Sequence, residues 1–252
     1  MKNILVIAKN TFRETIRDKI LYGIVAFSII FIILDLFLAR VSLGDLAMIK
    51  SFGLAGIYIF GAITTIFLGA SIIHKEIERR TLYFIISKPV SRLDVILGKF
   101  LGLFSAVALT NIIMGLVYTG VIFYESQTID YLGLLAVLFQ IFEMGLFTAM
   151  LIFFSSIAAP LTSTISATII LFIGHLSEAM FKNVEQAGGI TYGFGKFIYY
   201  IFPNLEKFNL RNLVVHNISI SLNEALLTLG YALIYSITLL YLANVFFKRK
   251  EL

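Results

Sequence analysis

"YLGLLAVLFQIFEMGLFTAMLIFFSSIAAPLTSTISATIILFIGHLSEAMF", residues 131–181, contains no lysine or arginine, and its only acidic residues are Glu143 and Glu178. A helix needs about 20 mostly apolar residues to cross a bilayer, so this stretch is long enough for two. Pro160 marks the division. It lacks an N–H and disfavours helix in the residue before it, which predicts spans at 131–158 and 161–181 joined by the Ala158-Ala159-Pro160-Leu161-Thr162 turn. Comparable apolar runs outside this stretch predict further spans at 21–39, 52–73, 100–124 and 226–247. Over the whole chain, 59% of residues are apolar and 14% charged, with mean hydropathy +0.94. Soluble domains carry about 25% charge, so lipid is the expected solvent. The fold class read from this pattern is all-α: one polytopic domain, 1–252, with six transmembrane helices.

Basic residues orient such a chain. Lys2, Lys9, Arg13, Arg17 and Lys19 precede the first run, six more lie in 75–99, and Lys248, Arg249 and Lys250 close the chain. These are fourteen of the twenty; the other side has Arg40, Lys50, Lys182, Lys196, Lys207 and Arg211. Both termini are therefore expected in the cytoplasm, at a cell (inner) membrane. The net charge of +5 reads as orientation, with no nucleic-acid partner. Eighteen patterned residues ahead of the first run, which is itself full length, argue against a cleaved signal peptide. Residues 1–18 read as an amphipathic helix on the membrane surface, with Leu5, Ala8, Phe12 and Ile16 on one stripe flanked by basic residues.

Small residues recur every fourth position, at Gly61, Thr65 and Gly69 and at Gly98, Gly102, Ala106 and Thr110, as in helices that pack closely in lipid. The 183–225 loop, on the outer side, is rich in aromatic rings suited to the interface, and a short helix at 195–202 ending before Pro203 is expected in it.

Catalytic motifs are not found. The chain has no cysteine, no H-E-x-x-H and no G-x-S-x-G, and its three histidines stand apart. "GGITYGFGK", 188–196, has Ile190 where a phosphate-binding loop needs its first glycine and Phe197 where it needs Ser or Thr. No cofactor is expected on this chain. Ionisable groups inside the membrane are costly and so become candidates: Glu143 with Gln140 one turn before it, Asp35 near the outer end of the first span, and His175 with Glu178. Glu143 suits either a proton relay or a structural hydrogen bond. Glu178 stands four residues before Lys182, a favourable helix pair.

The most polar internal stretch is "KEIERRTLYFIISKPVSRLDVILGKFLG", 75–102. Pro89 stops one helix. Ser91 then starts another, with Asp94 placed to complete a capping box. The 74–99 loop thus reads as a stiff charged elbow on the cytoplasmic side, shaped to dock on a partner. Its Glu76, Glu78, Thr81, Leu82, Ser87, Pro89, Val90, Ser91, Arg92, Gly98 and Lys99 resemble the E-x-E-x-x-T-L…S-x-P-V-S-R…G-K pattern of ABC-2 type permeases, the membrane subunits of type V ABC exporters. Arg80 replaces the glycine common before the threonine, and "PNLEKFNLRN", 203–212, resembles the branch associated with multi-copper-enzyme maturation.

The resemblance implies an ATP-binding partner subunit that carries the ATP and Mg. It docks on Glu76, Glu78, Arg79, Arg80, Thr81, Lys88, Pro89, Ser91 and Arg92. It also implies a second permease subunit, identical or different, embedded in membrane lipid, with an outer partner reached through 183–225. The function implied is export, or transmission of force across the membrane, driven by ATP hydrolysis in the partner. Two other readings are open. An ion-driven secondary transporter would use Glu143; a lipid-modifying enzyme would need clustered ligands, against which the scattered set argues.

Overall fold

The computed structural model describes residues 2–41, 45–70, 91–187 and 189–249. Among the described residues nine helices and a 3-10 turn follow in order: α1 (Lys2–Ile16), α2 (Lys19–Val41), α3 (Leu46–Gly69), α4 (Arg92–Ser126), α5 (Tyr131–Ile157), α6 (Pro160–Ala187), α7 (Gly189–Ile201), the turn Glu206–Phe208, α8 (Arg211–Val215) and α9 (Leu222–Arg249). No strand occurs among the described residues. Five of these segments are long and apolar enough to cross a membrane: Leu46–Gly69, Arg92–Ser126, Tyr131–Ile157, Pro160–Lys182 and Leu222–Phe247. The expected span at 21–39 falls on α2, which is not among the five. Its 23 residues nonetheless turn Tyr22, Phe27, Ile30 and Leu34 outward.

Local chemistry sets the boundaries. Pro160 is the first residue of α6, where its missing N–H would have had no helical partner. Ser91 and Asp94 close the capping box, with Asp94 N donating to Ser91 Oγ at 3.1 Å and Ser91 N to Asp94 Oδ2 at 3.2 Å. α4 therefore starts eight residues before the expected span at 100 and, with 35 residues, is about 50 Å long. Ser221 and Glu224 form a second such box that starts α9, and Asp45 caps α3 by accepting from Ala47 N at 2.9 Å. Much of the 183–225 loop is helical: α6 runs on to Ala187, and the short helix expected at 195–202 is the longer α7.

α5 is the central helix and is mostly buried, whereas little of α6 and α9 is buried. Leu161, Ile165, Ile169, Phe172 and Leu176 form a continuous outward stripe on α6. So large an apolar exterior suits lipid.

Small residues hold the interior together. A Cβ on Gly102 would lie 2.6 Å from the Ala8 carbonyl oxygen and from Thr11, and one on Gly98 would lie 2.6 Å from Ile7 Cβ. α1 is thus pressed against the start of α4, burying Thr11 and Thr15 and leaving Leu5 and Val6 outside. Gly61 faces Asn111 of α4, Thr65 Oγ1 lies 3.7 Å from Met144 Sδ, and Gly69 faces Leu151 of α5. Both small-residue stripes serve packing within the chain.

Polar contacts join helix ends. Lys50 Nζ lies 3.3 Å from Asp130 Oδ2 and donates to Asn217 Oδ1 at 3.1 Å, and Tyr118 OH donates to Asp130 at 3.1 Å. At the other end Arg92 Nη1 donates to the Phe247 carbonyl at 2.8 Å. The start of α4, the end of α9 and α1 therefore share one end of the bundle. Gly102→Val is expected to destabilise by roughly 1–3 kcal/mol, because the α1 backbone cannot yield to the added carbons. Gly120→Ala, where nothing lies within 4 Å, is the control. Thermal unfolding in detergent should separate the two.

Candidate functional site

Glu143 lies inside α5 with 1% of its surface exposed, so its carboxylate must find partners within the chain. His175 of α6 supplies the first: its Nε2 is 2.8 Å from Glu143 Oε1. Tyr58 of α3 joins the pair, its hydroxyl standing 2.7 Å from the same His175 nitrogen. The other ring nitrogen, Nδ1, is 3.1 Å from Glu206 Oε2 in the 3-10 turn. Asn209 then donates to Glu206 Oε1 at 2.9 Å.

Glu206 reaches α6 because of Gly174. A Cβ there would meet the Pro203 carbonyl and Leu205 Cγ, each at 2.7 Å, and Leu205 N donates to the Gly174 carbonyl at 3.1 Å. Leu205 and Phe208 are fully buried and fix the segment, and Asn204 N donates to Tyr231 OH at 3.0 Å. A chain segment read as outer loop is thereby wedged into the bundle beside His175.

The network closes one end of a cavity of about 510 Å³ between α3 and α6, with α5 behind it and 206–211 across one side. Ile59, Ala62, Ile63, Ile66, Leu171, Phe172 and Leu176 give it apolar walls. Gln140, Glu143, His175, Glu206, Asn209 and Arg211 give it a polar end. Gln140 Nε2 donates to the Leu54 carbonyl at 3.1 Å, which leaves its buried Oε1 without a partner. Arg211 Nε is likewise buried and unpartnered.

The sequence-derived candidates divide. Gln140, Glu143 and His175 come together here. Glu178 does not join them: it pairs with Lys182 at 2.8 Å on the surface, where an exposed ion pair contributes little. Asp35, the candidate near the outer end of the first span, stands apart from them: it is 1% exposed between α2, α3 and α4, with neither oxygen partnered. Gly53 makes the room for it: a Cβ there would lie 3.3 Å from Asp35 Oδ2 and 2.6 Å from the Tyr118 ring.

The acidic and histidine set read as scattered is in part gathered, since Glu143 and His175 meet Glu206. Among the described residues, however, no group of three or more His, Cys, Asp or Glu is arranged to hold a metal ion. Tyr58, Glu206, Asn209 and Arg211 were not singled out as site residues by sequence reading. The one available signal was the density of polar groups in "NLEKFNLRN", 204–212, unusual beside so many rings. In the elbow, Glu76, Glu78, Arg79, Arg80, Thr81, Lys88 and Pro89 lie outside the described residues. Ser91 caps α4, and Arg92 is engaged with Phe247, over whose ring its guanidinium carbon sits at 5.9 Å.

A family described as ABC-2 family transporter protein matches residues 5–252. The chain belongs to the ABC-2 transporter family. No curated protein matches the chain. Membership makes it a multi-pass membrane protein and the permease component of an ABC transporter, whose nucleotide is bound by a partner subunit. The permease is the transmembrane component and is not itself catalytic.

If the permease depends on the buried network, Glu143 and His175 should be energetically coupled. Glu143→Ala and His175→Ala are each expected to destabilise it, and the double variant to lose less than their sum by about 0.5–3 kcal/mol. A thermal-unfolding cycle in one detergent reads this directly.

Proposed function

We propose that this permease forms a single transmembrane domain over 1–252 that exports a substrate, or transmits force across the inner membrane, using ATP hydrolysed by a separate subunit. The observation that carries the proposal is the family match over residues 5–252. In this reading α2 is a sixth span and α1 lies at the cytoplasmic interface with both termini. The basic bias of the 75–99 segment and the two ends supports that orientation. Support also comes from the shared end of α1, the start of α4 and the end of α9.

The elbow at 74–99 takes up the motion of the ATP-binding subunit, with Glu76, Glu78, Arg79, Arg80, Thr81, Lys88 and Pro89 as its contact set. Arg92 acts at the root of the elbow through Phe247, and Ser91 acts by fixing the direction in which α4 leaves it. A second permease subunit completes the working unit, and an outer partner would meet the 183–225 segment. The link to multi-copper-enzyme maturation rests on the 203–212 string and is part of the same proposal.

Reversing charge at Glu78 and Arg80 together tests the coupling and spares Arg92, whose loss would disturb α9. The reversed chain is expected to keep its melting temperature yet lose co-purification with the ATP-binding subunit. Unchanged capture would overturn the assignment of the elbow.

One observation favours a second reading, an ion-gradient transporter: the buried network of Glu143, His175 and Glu206 could carry protons. That reading requires uptake or efflux by the chain alone in a proton gradient, abolished by Glu143→Gln.

A further inference from the structure

We propose that the cavity between α3 and α6 binds an uncharged amphiphile. Its chain lies along the apolar walls, and its head, a hydroxyl or a primary amide, sits between Gln140 and Arg211. The inference rests on the cavity and does not require the ATP-driven reading. About 510 Å³ falls within the ~300–1,000 Å³ of pockets that take a small molecule. The cavity is bordered by Ile59, Phe172 and Leu176, residues of the outward apolar surface, so a chain can enter from the side.

The head group follows from the charged groups already present and from vacant hydrogen-bonding positions. Glu143 and Glu206 are each engaged with His175, at 2.8 and 3.1 Å, and Arg211 lines the same cavity. A charged head would leave water for an end already lined by acidic and basic groups, without regaining the lost solvation.

What remains unmet is one acceptor, Gln140 Oε1, and one donor, Arg211 Nε, both buried. The Gln140 orientation is fixed, because only its NH₂ can donate to the Leu54 carbonyl at 3.1 Å. A group that both donates and accepts satisfies the pair; a carboxylate or an ammonium satisfies one of the two.

The test uses the purified chain in phosphatidylcholine nanodiscs with a photoactivatable monoacylglycerol, competed by monolaurin, dodecanoate and dodecylammonium. Label is expected at Ile59, Ile63 and Phe172. Monolaurin is expected to displace the probe at about tenfold lower concentration than either charged analogue, and Gln140→Leu to remove about tenfold of that advantage. Should Gln140→Leu not fold, Ile63→Trp, which fills the cavity without touching the polar end, is expected to abolish the label.

A two-chain diacylglycerol probe identifies the source. Label from it at the same residues assigns the occupant to the bilayer, and label from the single-chain probe alone assigns it to an exchangeable molecule. Both outcomes support the site. Equal displacement by all three competitors would overturn it, as would label spread evenly onto Ile234 and Ile237 of α9.

Discussion

A carboxylate enclosed in an apolar bundle is costly to leave without partners, and Glu143, at the centre of this chain, is the one that several segments converge to satisfy. Its position on α5, the most enclosed helix, means that every helix contributing a partner must approach at one depth. Tyr58 brings α3, His175 brings α6, and through His175 the turn at Glu206 is drawn in from outside. The contacts that satisfy one charge therefore bind four segments distant in sequence. Gly174 and the buried Leu205 and Phe208 make that reach sterically feasible.

Elsewhere cohesion comes from close approach. Lipid gives no hydrophobic drive between helices, so backbones must come near enough for dispersion and hydrogen bonding to act. Gly98 and Gly102 allow this for α1, and Gly53 and Gly56 allow it for α2 against α3. The same logic presses α1 onto α4: its Thr11 meets Gly102, and Thr15 is buried as well. The apolar stripe drawn from Leu5, Ala8, Phe12 and Ile16 is split between packing and exposure. Periodicity shows that a helix has two faces, but it does not say which face meets protein.

What could be read from the chain was local. Pro160 and the Ser91–Asp94 box act within a few residues, and each stands where sequence reasoning put it; of the six apolar runs, five fall on helices long and apolar enough to cross a membrane. Glu143, Gln140 and His175 could be flagged because charge in lipid needs a reason. Their arrangement could not be, since His175 meets Glu143 across 32 residues and Tyr58 across 117. Glu206 and Arg211 looked like ordinary outer-loop charges until the fold wedged their segment inward. The burial of Asp35 was hidden for the same reason: position along a helix measures depth, but burial depends on which neighbour covers that side, here Gly53 and Tyr118.

The distribution of ties also indicates where the bundle can change shape. At one end, Lys50, Asp130 and Asn217 tie α3 to the segments before α5 and after α8; at the other, Arg92 ties α4 to α9. Between those ends little of α6 is buried, and the cavity lies between it and α3 over residues 168–176. There its polar tie to α3 is the contact of His175 with Tyr58, while its other side packs on α5. Packed surfaces resist small displacements, whereas elements with a gap between them can shift as bodies. A molecule entering between α3 and α6 acts where few contacts join the two helices. Occupancy of the cavity and the position of α6 are then linked, each biasing the other by the same free energy.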